Sequence, residues 1–303
     1  MSCDQGVCTS STGQGEGEGE GEGEGEGEGE GEGEGEEGEG EGEEGEGEGE
    51  REGEGEGEGE GEGEGEGEGE GEGEGEGEPC VPSTLHDEDG DGRADDCDNC
   101  PHMANAGFAD GDGDGVGDLC DPRPASAGDR IAFFDGFGGD LSRFTANSAA
   151  WVVSGDQLHA NSGSCIDVVI DGLVLADAML ERRVTVHNYD YGNTNSWNDV
   201  RLANTNQGHG CSMRTSYGSK LLAYWINSFG SPDGTASFNG FAVDAPFVLR
   251  TSAFGSSFRC EVVGQVNQTF TSTSYASGGF GLKQCYQDTS TDYVIVLELG
   301  GAI

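Results

Sequence analysis

Two twelve-residue stretches, Asp87 to Asp98 (DEDGDGRADDCD) and Asp110 to Asp121 (DGDGDGVGDLCD), each set carboxylates at positions 1, 3, 5, 9 and 12 around a glycine at position 6. So many like charges on so short a backbone repel one another, and a compact form is strongly disfavoured unless a cation neutralises them. The pattern is that of a loop wrapped around a hard, oxygen-seeking ion. In the first loop the candidate ligands are Asp87, Asp89, Asp91, Asp95 and Asp98, about Gly92. In the second they are Asp110, Asp112, Asp114, Asp118 and Asp121, about Gly115. The backbone carbonyls of Arg93 and Val116 fall at position 7, where a main-chain oxygen usually completes the shell. About six oxygens per loop suit Ca2+ better than magnesium or a transition metal. A single string of this kind is readily explained as a solvated turn, but two copies in phase argue against that reading. Metal binding and folding of this segment are therefore expected to be one event.

The flanks exclude a helical calcium switch. An EF-hand places its loop between amphipathic helices and usually ends it on glutamate. Here Pro79 and Pro82 precede the first loop, Cys97, Cys100 and Pro101 crowd its end, and Asp98 and Asp121 stand at position 12. With no helix pair to splay open, a sensor of that kind is not expected. Zinc at the four nearby cysteines is a weaker reading. Cys97 and Cys100 have ligand spacing, but Cys80 and Cys120 stand alone among hard oxygen donors.

The run DEDGDGRADDCDNCP, then Asn105, then DGDGDGVGDLCD resembles the thrombospondin type 3 repeat, whose CDNCP signature stands at Cys97 to Pro101. The resemblance covers about forty residues, from Cys80 to Asp121. It implies calcium held by the aspartates named above along a largely irregular, disulfide-stapled backbone, with Cys97 paired to Cys80 and Cys100 to Cys120. Many members string several repeats together, whereas this pair is short, so long wire-like cooperativity is not expected. The expected affinity is that of extracellular modules, on the order of 0.1 to 1 mM.

Composition divides the remaining chain. Residues 1–14 form a short cysteine-containing segment, and Gly15 to Glu78 is almost pure Gly-Glu, broken only by Glu37, Glu44 and Arg51. That tract supplies most of the net charge of -49, has no apolar side chain and is expected to be disordered, a hydrated spacer. A neutral chain of that length would span roughly 45 Å, and charge repulsion extends it further. As a calcium reservoir it is poor, because ordering glycine-spaced glutamates costs backbone entropy. With 13 basic against 62 acidic residues the chain is not expected to bind nucleic acid. It has no apolar run of about eighteen residues and hence no expected transmembrane helix. Ten cysteines point to an oxidising compartment, extracellular or at the cell surface. No signal peptide precedes Cys3, so the start is expected to be truncated or misassigned, and a lipid anchor on Cys3 is one reading if an upstream leader is missing. Cys3 and Cys8 are candidates for a small loop, while Cys165, Cys211, Cys260 and Cys285 admit three connectivities.

Residues 79–121 hold the calcium loops, 122–128 read as a linker, and 129–303 carry short apolar and β-branched runs separated by Gly, Asn, Ser and Asp. The fold class expected is mainly β: an antiparallel β-sandwich preceded by the stapled calcium segment and the Gly-Glu tract. Strands are expected over 131–134, 151–153, 165–170, 179–187, 200–203, 220–226, 247–254, 258–263, 265–271, 279–282 and 293–299. The motifs FFDGFGGDLSRF (Phe133 to Phe144), WVVSGDQLHA (Trp151 to Ala160), GGFGL (Gly278 to Leu282) and DYVIVLEL (Asp292 to Leu299) resemble, by their order and spacing, the concanavalin-like lectin and glucanase jelly rolls. Glucanases of that fold carry an E-x-D-x-E cluster on one strand, which is missing here. The glutamates Glu181, Glu261 and Glu298 lie far apart, each expected on a solvated outer face. His159, His187 and His209 share no short spacing and are expected to be ordinary surface or core residues.

The binding candidate is Asn188 to Asp199 (NYDYGNTNSWND). Tyr189, Tyr191 and Trp197 offer rings for a sugar face, and Asn198 and its polar neighbours offer hydrogen bonds. On the other reading the Asn, Asp and Gly simply make turns. The function expected is a secreted or surface-attached, non-catalytic calcium-binding protein that adheres to an extracellular glycan or matrix component. The alternatives are a secreted carbohydrate-active hydrolase and a purely structural spacer.

Overall fold

The computed structural model describes residues 80–189, 193–216, 219–226, 231–238 and 242–300, together with two short N-terminal strands. The Gly-Glu tract, Asp190 and Tyr191 lie outside the described residues. The chain clusters into two units, Met1–Gly71 and Glu72–Ile303. In the first, β1 (Ser2–Asp4) pairs antiparallel with β2 (Val7–Thr9), placing Cys3 opposite Cys8.

In the second unit, thirteen strands form one antiparallel sheet that folds over on itself. They are β3 (Arg130–Asp135), β4 (Phe144–Ala146), β5 (Trp151–Val153), β6 (Leu158–Ile170), β7 (Ala178–Tyr189), β8 (Asn193–Asn204) and β9 (Gln207–Ser216). They continue with β10 (Ser219–Trp225), β11 (Gly234–Ser237), β12 (Phe247–Phe254), β13 (Ser257–Val262), β14 (Val266–Thr271) and β15 (Gly279–Glu298). Among the described residues there is no α-helix, only a 3-10 turn at Asp95–Cys97.

The twenty-residue β15 is the spine. Its first half lies between β6 and β8 and continues outward as β9, β10 and β11; its second half lies between β3 and β7 and continues as β12, β13 and β14. Shifts of register between Cys285 and Gln287, and again between Thr291 and Val294, let one strand serve both layers. The layers pack face to face through Val184, Met213, Leu222, Leu249, Phe258 and Phe280. Two disulfides choose one of the three connectivities. Cys165–Cys285 ties β6 to β15, and Cys211–Cys260 ties β9 to β13 across the layers.

Alternation explains which strands were visible in sequence. On β12 the pattern is strict, with Phe247, Leu249, Thr251 and Ala253 inward, and the expected span agrees. The middle of β15 was expected as a gap between two strands, because KQCYQDTSTD is polar. It is a continuous strand whose Gln284 and Gln287 bond to Ser196 and Thr194 of β8 inside the sandwich. Strand β9 was missed for the same reason. The three histidines are ordinary: His209 is buried against Phe258 and Phe270, His187 bonds Asp244 and Ser290, and His159 bonds Ser154.

Because Cys211 and Cys260 close a loop of 49 residues between layers, their disulfide restricts the unfolded chain considerably. Replacing both by alanine is expected to lower the unfolding free energy by about 4 kcal/mol. Urea denaturation of the two proteins checks this.

Candidate calcium centre

The two acidic loops share most of their internal hydrogen bonds at an interval of 23 residues. Asp87 accepts the backbone N–H groups of Gly90 and Gly92 at 2.9 and 3.0 Å, and Asp110 accepts those of Gly113 and Gly115 at 2.8 and 2.9 Å. All four glycines have φ between 74° and 99°, the left-handed region open to them without a Cβ penalty. Position 5 accepts from position 7 in both loops, Arg93 to Asp91 and Val116 to Asp114, each at 3.0 Å. The result is a backbone coil that turns the side chains of Asp87, Asp89 and Asp91, and of Asp110, Asp112 and Asp114, toward a common point.

Whether these residues fit a cation is tested by the oxygens left over. Buried carboxylate oxygens without a hydrogen-bond partner occur at position 3 (Asp89 Oδ2 and both oxygens of Asp112) and at position 12 (Asp98 Oδ2 and Asp121 Oδ2) in each loop. An unpartnered buried carboxylate is costly, and its recurrence at equivalent positions is what a ligand set shows when its hydrogen-bond donors are replaced by an ion. Residues Asp87, Asp89, Asp91 and Asp98, and their counterparts Asp110, Asp112, Asp114 and Asp121, would hold it, with the carbonyls of Arg93 and Val116 at hand. Calcium would supply charge neutralisation and a rigid core to the loop.

Position 9 is engaged within the loop. Asp95 accepts the Glu88 N–H at 2.8 Å and pairs with His86 at 2.6 Å, and Asp118 accepts the Gly111 N–H at 2.7 Å. Both reach across the loop to position 2, so they brace the coil and stand outside the ligand clusters.

Residues 71–107 match the thrombospondin type 3 repeat family. That match takes in the first loop and stops before the second. No curated protein matches the chain. Among solved structures, a carbohydrate-binding module from Bacillus subtilis is similar at TM-score 0.43 and 14% identity, covering 50% of this chain and 93% of that one. The exoplasmic/lumenal domain of VIP36, in a form bound to calcium and Man3GlcNAc, is similar at 0.46 and 8%, covering 58% and 90%. A Bacillus licheniformis β-glucanase is similar at 0.42 and 12%, covering 54% and 96%.

The repeat-like segment is stapled by Cys80–Cys97 and Cys100–Cys120, and it lies against the outer face of the second layer. Cys100, Val116 and Cys120 pack on Met179, Tyr293, Ile295 and Leu297. The sequence expectation that Glu181 faces solvent fails here, because this segment covers it: the residue is 2% exposed. Arg250 donates to Glu181 at 2.6 Å, Tyr293 donates at 2.9 Å, and the His102 ring nitrogen lies 3.4 Å away. Burial by itself would raise the Glu181 carboxyl, yet His102, Arg250 and Tyr293 together hold it at about 2. Glu261 is likewise buried and pairs with Arg250 and Arg259. Nearer the N-terminus, His86 fits over Gly136 and Gly138, where a Cβ would meet its ring at 2.7 and 2.3 Å. Gly136 and Gly138 of FFDGFGG therefore form the bed on which this end of the repeat-like segment rests.

The binding stretch expected around Asn188 to Asp199 is mostly strand. Trp197 and Asn198 are buried in β8, Trp197 edge-on to Trp225 at 5.0 Å and Asn198 donating to the Leu249 carbonyl at 2.8 Å, so neither offers a face to a sugar. Tyr189 ends β7, and Tyr191 lies outside the described residues. An aromatic that the sequence did not single out is presented instead. Tyr286, 43% exposed with φ 55°, sits on the β15 bulge above a shallow pocket of about 150 Å3 lined by Asn161, Ser162, Asn188, Gln287 and Asp288. A positive φ at a bulky residue is strained, and bulges re-aim side chains. Its only sequence signal was an aromatic between polar residues beside Cys285.

Calorimetry on the full chain should show calcium uptake that Asp89→Ala and Asp112→Ala each reduce; no heat in the parent, or unchanged heats in the variants, would overturn the ligand assignment. Without the ion, burial pushes Asp121 up to about 6. A raised carboxyl holds its proton more tightly when folded, so its contribution is present below pH 4 and is lost as pH rises through about 6. Melting temperature in chelator should therefore fall over that window, and added calcium should reverse the trend. Glu181→Gln strips a buried charge partner from Arg250 and should cost about 3 kcal/mol by denaturation, with faster proteolysis between Cys80 and Asp121.

Proposed function

We propose that this is a calcium-braced, non-catalytic binding protein of the extracellular or cell-surface environment, and that its sandwich binds a glycan. The observation carrying the glycan reading is Tyr286. A partly exposed ring, held in a strained backbone conformation and surrounded by amide, hydroxyl and carboxylate groups, offers an apolar platform for a sugar face and hydrogen-bond partners for its rim. The calcium reading is supported by the family match and by the orphaned carboxylates. The extracellular reading is supported by four disulfides in the described part of the chain, which persist in oxidising surroundings. Such a protein would adhere to a surface carbohydrate or matrix component while calcium stiffens the repeat-like segment that covers the sandwich.

The hydrolase alternative requires two carboxyl groups facing a common cleft. Each glutamate of the sandwich is instead engaged by arginine: Glu181 by Arg250, Glu261 by Arg250 and Arg259, and Glu298 by Arg130. Asp167 and Asp292 are similarly paired, with Lys283 and Arg183. These pairings favour binding over catalysis.

A glycan array probed with the full chain is the direct test. The parent should retain at least one glycan class, and Tyr286→Ala should weaken that signal about tenfold or more, the size expected for one aromatic anchor. Release of reducing sugar from a bound polysaccharide would favour the hydrolase, and silence on every glycan would leave the structural spacer as the better reading.

A further inference from the structure

We propose that the open edge of β3 takes up an extended basic segment of a partner protein as an added strand. Among the described residues β3 pairs with β15 alone, so it ends the second layer's run of β14, β13, β12, β7 and β15. No backbone hydrogen bond of the described residues reaches Ile131 to Phe134 from the side away from β15. The register shift between Val296 and Leu297 passes over Ala132, which has no residue opposite it on β15. Along this edge runs a groove of about 570 Å3, bounded by Ser83, Thr84 and Asp96 of the repeat-like segment, by β3 itself and by the loop from Gly138 to Arg143. Unpaired backbone groups at a sheet edge are a template for another strand, and recognition by strand addition uses them.

Charge and local chemistry choose the occupant. Apart from Asp98, assigned to the first loop's ion, the groove carries Asp95, Asp96, Asp135 and Asp140 against His86 and a single guanidinium, Arg143. His86 is taken by Asp95 at 2.6 Å, and both Asp96 and Asp140 are exposed on the rim. Arg143 shows what this edge accepts. Its Nη1 donates to the Phe134 carbonyl at 2.6 Å, it stands 3.6 Å from Asp135, and its guanidinium lies over the Phe133 ring at 4.0 Å. A main-chain carbonyl, a carboxylate and an aromatic face in one place form a receptor for a basic side chain. Here it is filled from within by a side chain that is itself 52% exposed. A strand laid in the groove would bring its N–H groups to the edge carbonyls, and its alternate side chains, if basic, would meet the acidic rim. A second copy of this chain is a poorer occupant, because at a net charge of -49 it brings like charge to like. The inference stands apart from the glycan reading, which concerns Tyr286.

Hydrogen–deuterium exchange of the full chain with the peptide Lys-Val-Lys-Val-Lys-Val tests the site by a readout confined to the edge, which attraction of the peptide to the Gly-Glu tract would not move. In excess peptide, exchange over residues 130–135 should slow about fivefold or more, the factor one net backbone hydrogen bond confers. Asp140→Asn changes an exposed side chain and should raise the peptide concentration needed about threefold, the size of one exposed ion pair. Two further peptides, one methylated on the backbone nitrogens of its valines and one on those of its lysines, separate strand addition from charge alone. Only one of these alternating sets of N–H groups faces β3, so one methylated peptide should lose the protection and the other keep it. Unchanged exchange over 130–135 in excess peptide would overturn the site. Protection by both methylated peptides would overturn strand addition, and equal protection by Glu-Val-Glu-Val-Glu-Val would overturn the basic character of the occupant.

Discussion

The outer face of the second layer cannot stand in water uncovered. Strand β15 runs Tyr293, Val294, Ile295, Val296 and Leu297 without a polar interruption, because one side faces the sandwich core and the other faces Cys100, Val116 and Cys120 of the calcium segment. A strand buried on both sides reads as continuous hydrophobicity. The dependence is mutual. The calcium segment buries few apolar side chains of its own, Cys100, Val116 and Cys120 among them, so its small core is completed only by the strand it covers.

Burying Glu181 in that seam follows from the same contact. A carboxylate removed from water must be paired and hydrogen-bonded, and Arg250, Tyr293 and His102 converge on it from three separate parts of the chain. Such a network adds little net stability over a well-packed apolar contact, but it specifies one docking geometry, since any other placement strands a buried charge. The acidic loops are thereby fixed to the sandwich by packing and charge, and cations bound there would relieve the repulsion that packing concentrates.

Several residues changed meaning once neighbours were known. FFDGFGG resembled a jelly-roll opening, and its Gly136 and Gly138 are the surface on which His86 rests. Asp95 fits a ligand pattern by spacing, yet its carboxylate is taken by Glu88 and His86. Trp197 looked like a sugar platform in a polar loop, but it lies in a strand because Ser196, Asn198 and Gln284 form a buried polar ladder that hydrophobic alternation does not reveal.

The sequence by itself determined the local chemistry: two coils of aspartate and glycine that demand a hard cation, cysteines that staple them, a Gly-Glu tract with nothing to bury, and short strands that require a sandwich. These follow from properties a residue carries along its own few neighbours, such as charge spacing, glycine's access to positive φ and period-two alternation. Only the tertiary structure decided that the repeat-like segment is part of the sandwich wall, that Glu181 is buried under it, and that Tyr286 stands exposed above a polar pocket. Each of those depends on contacts between residues far apart in the chain. The periodicity of a strand records how much of it is covered, and the covering segment itself is identified only by the packing.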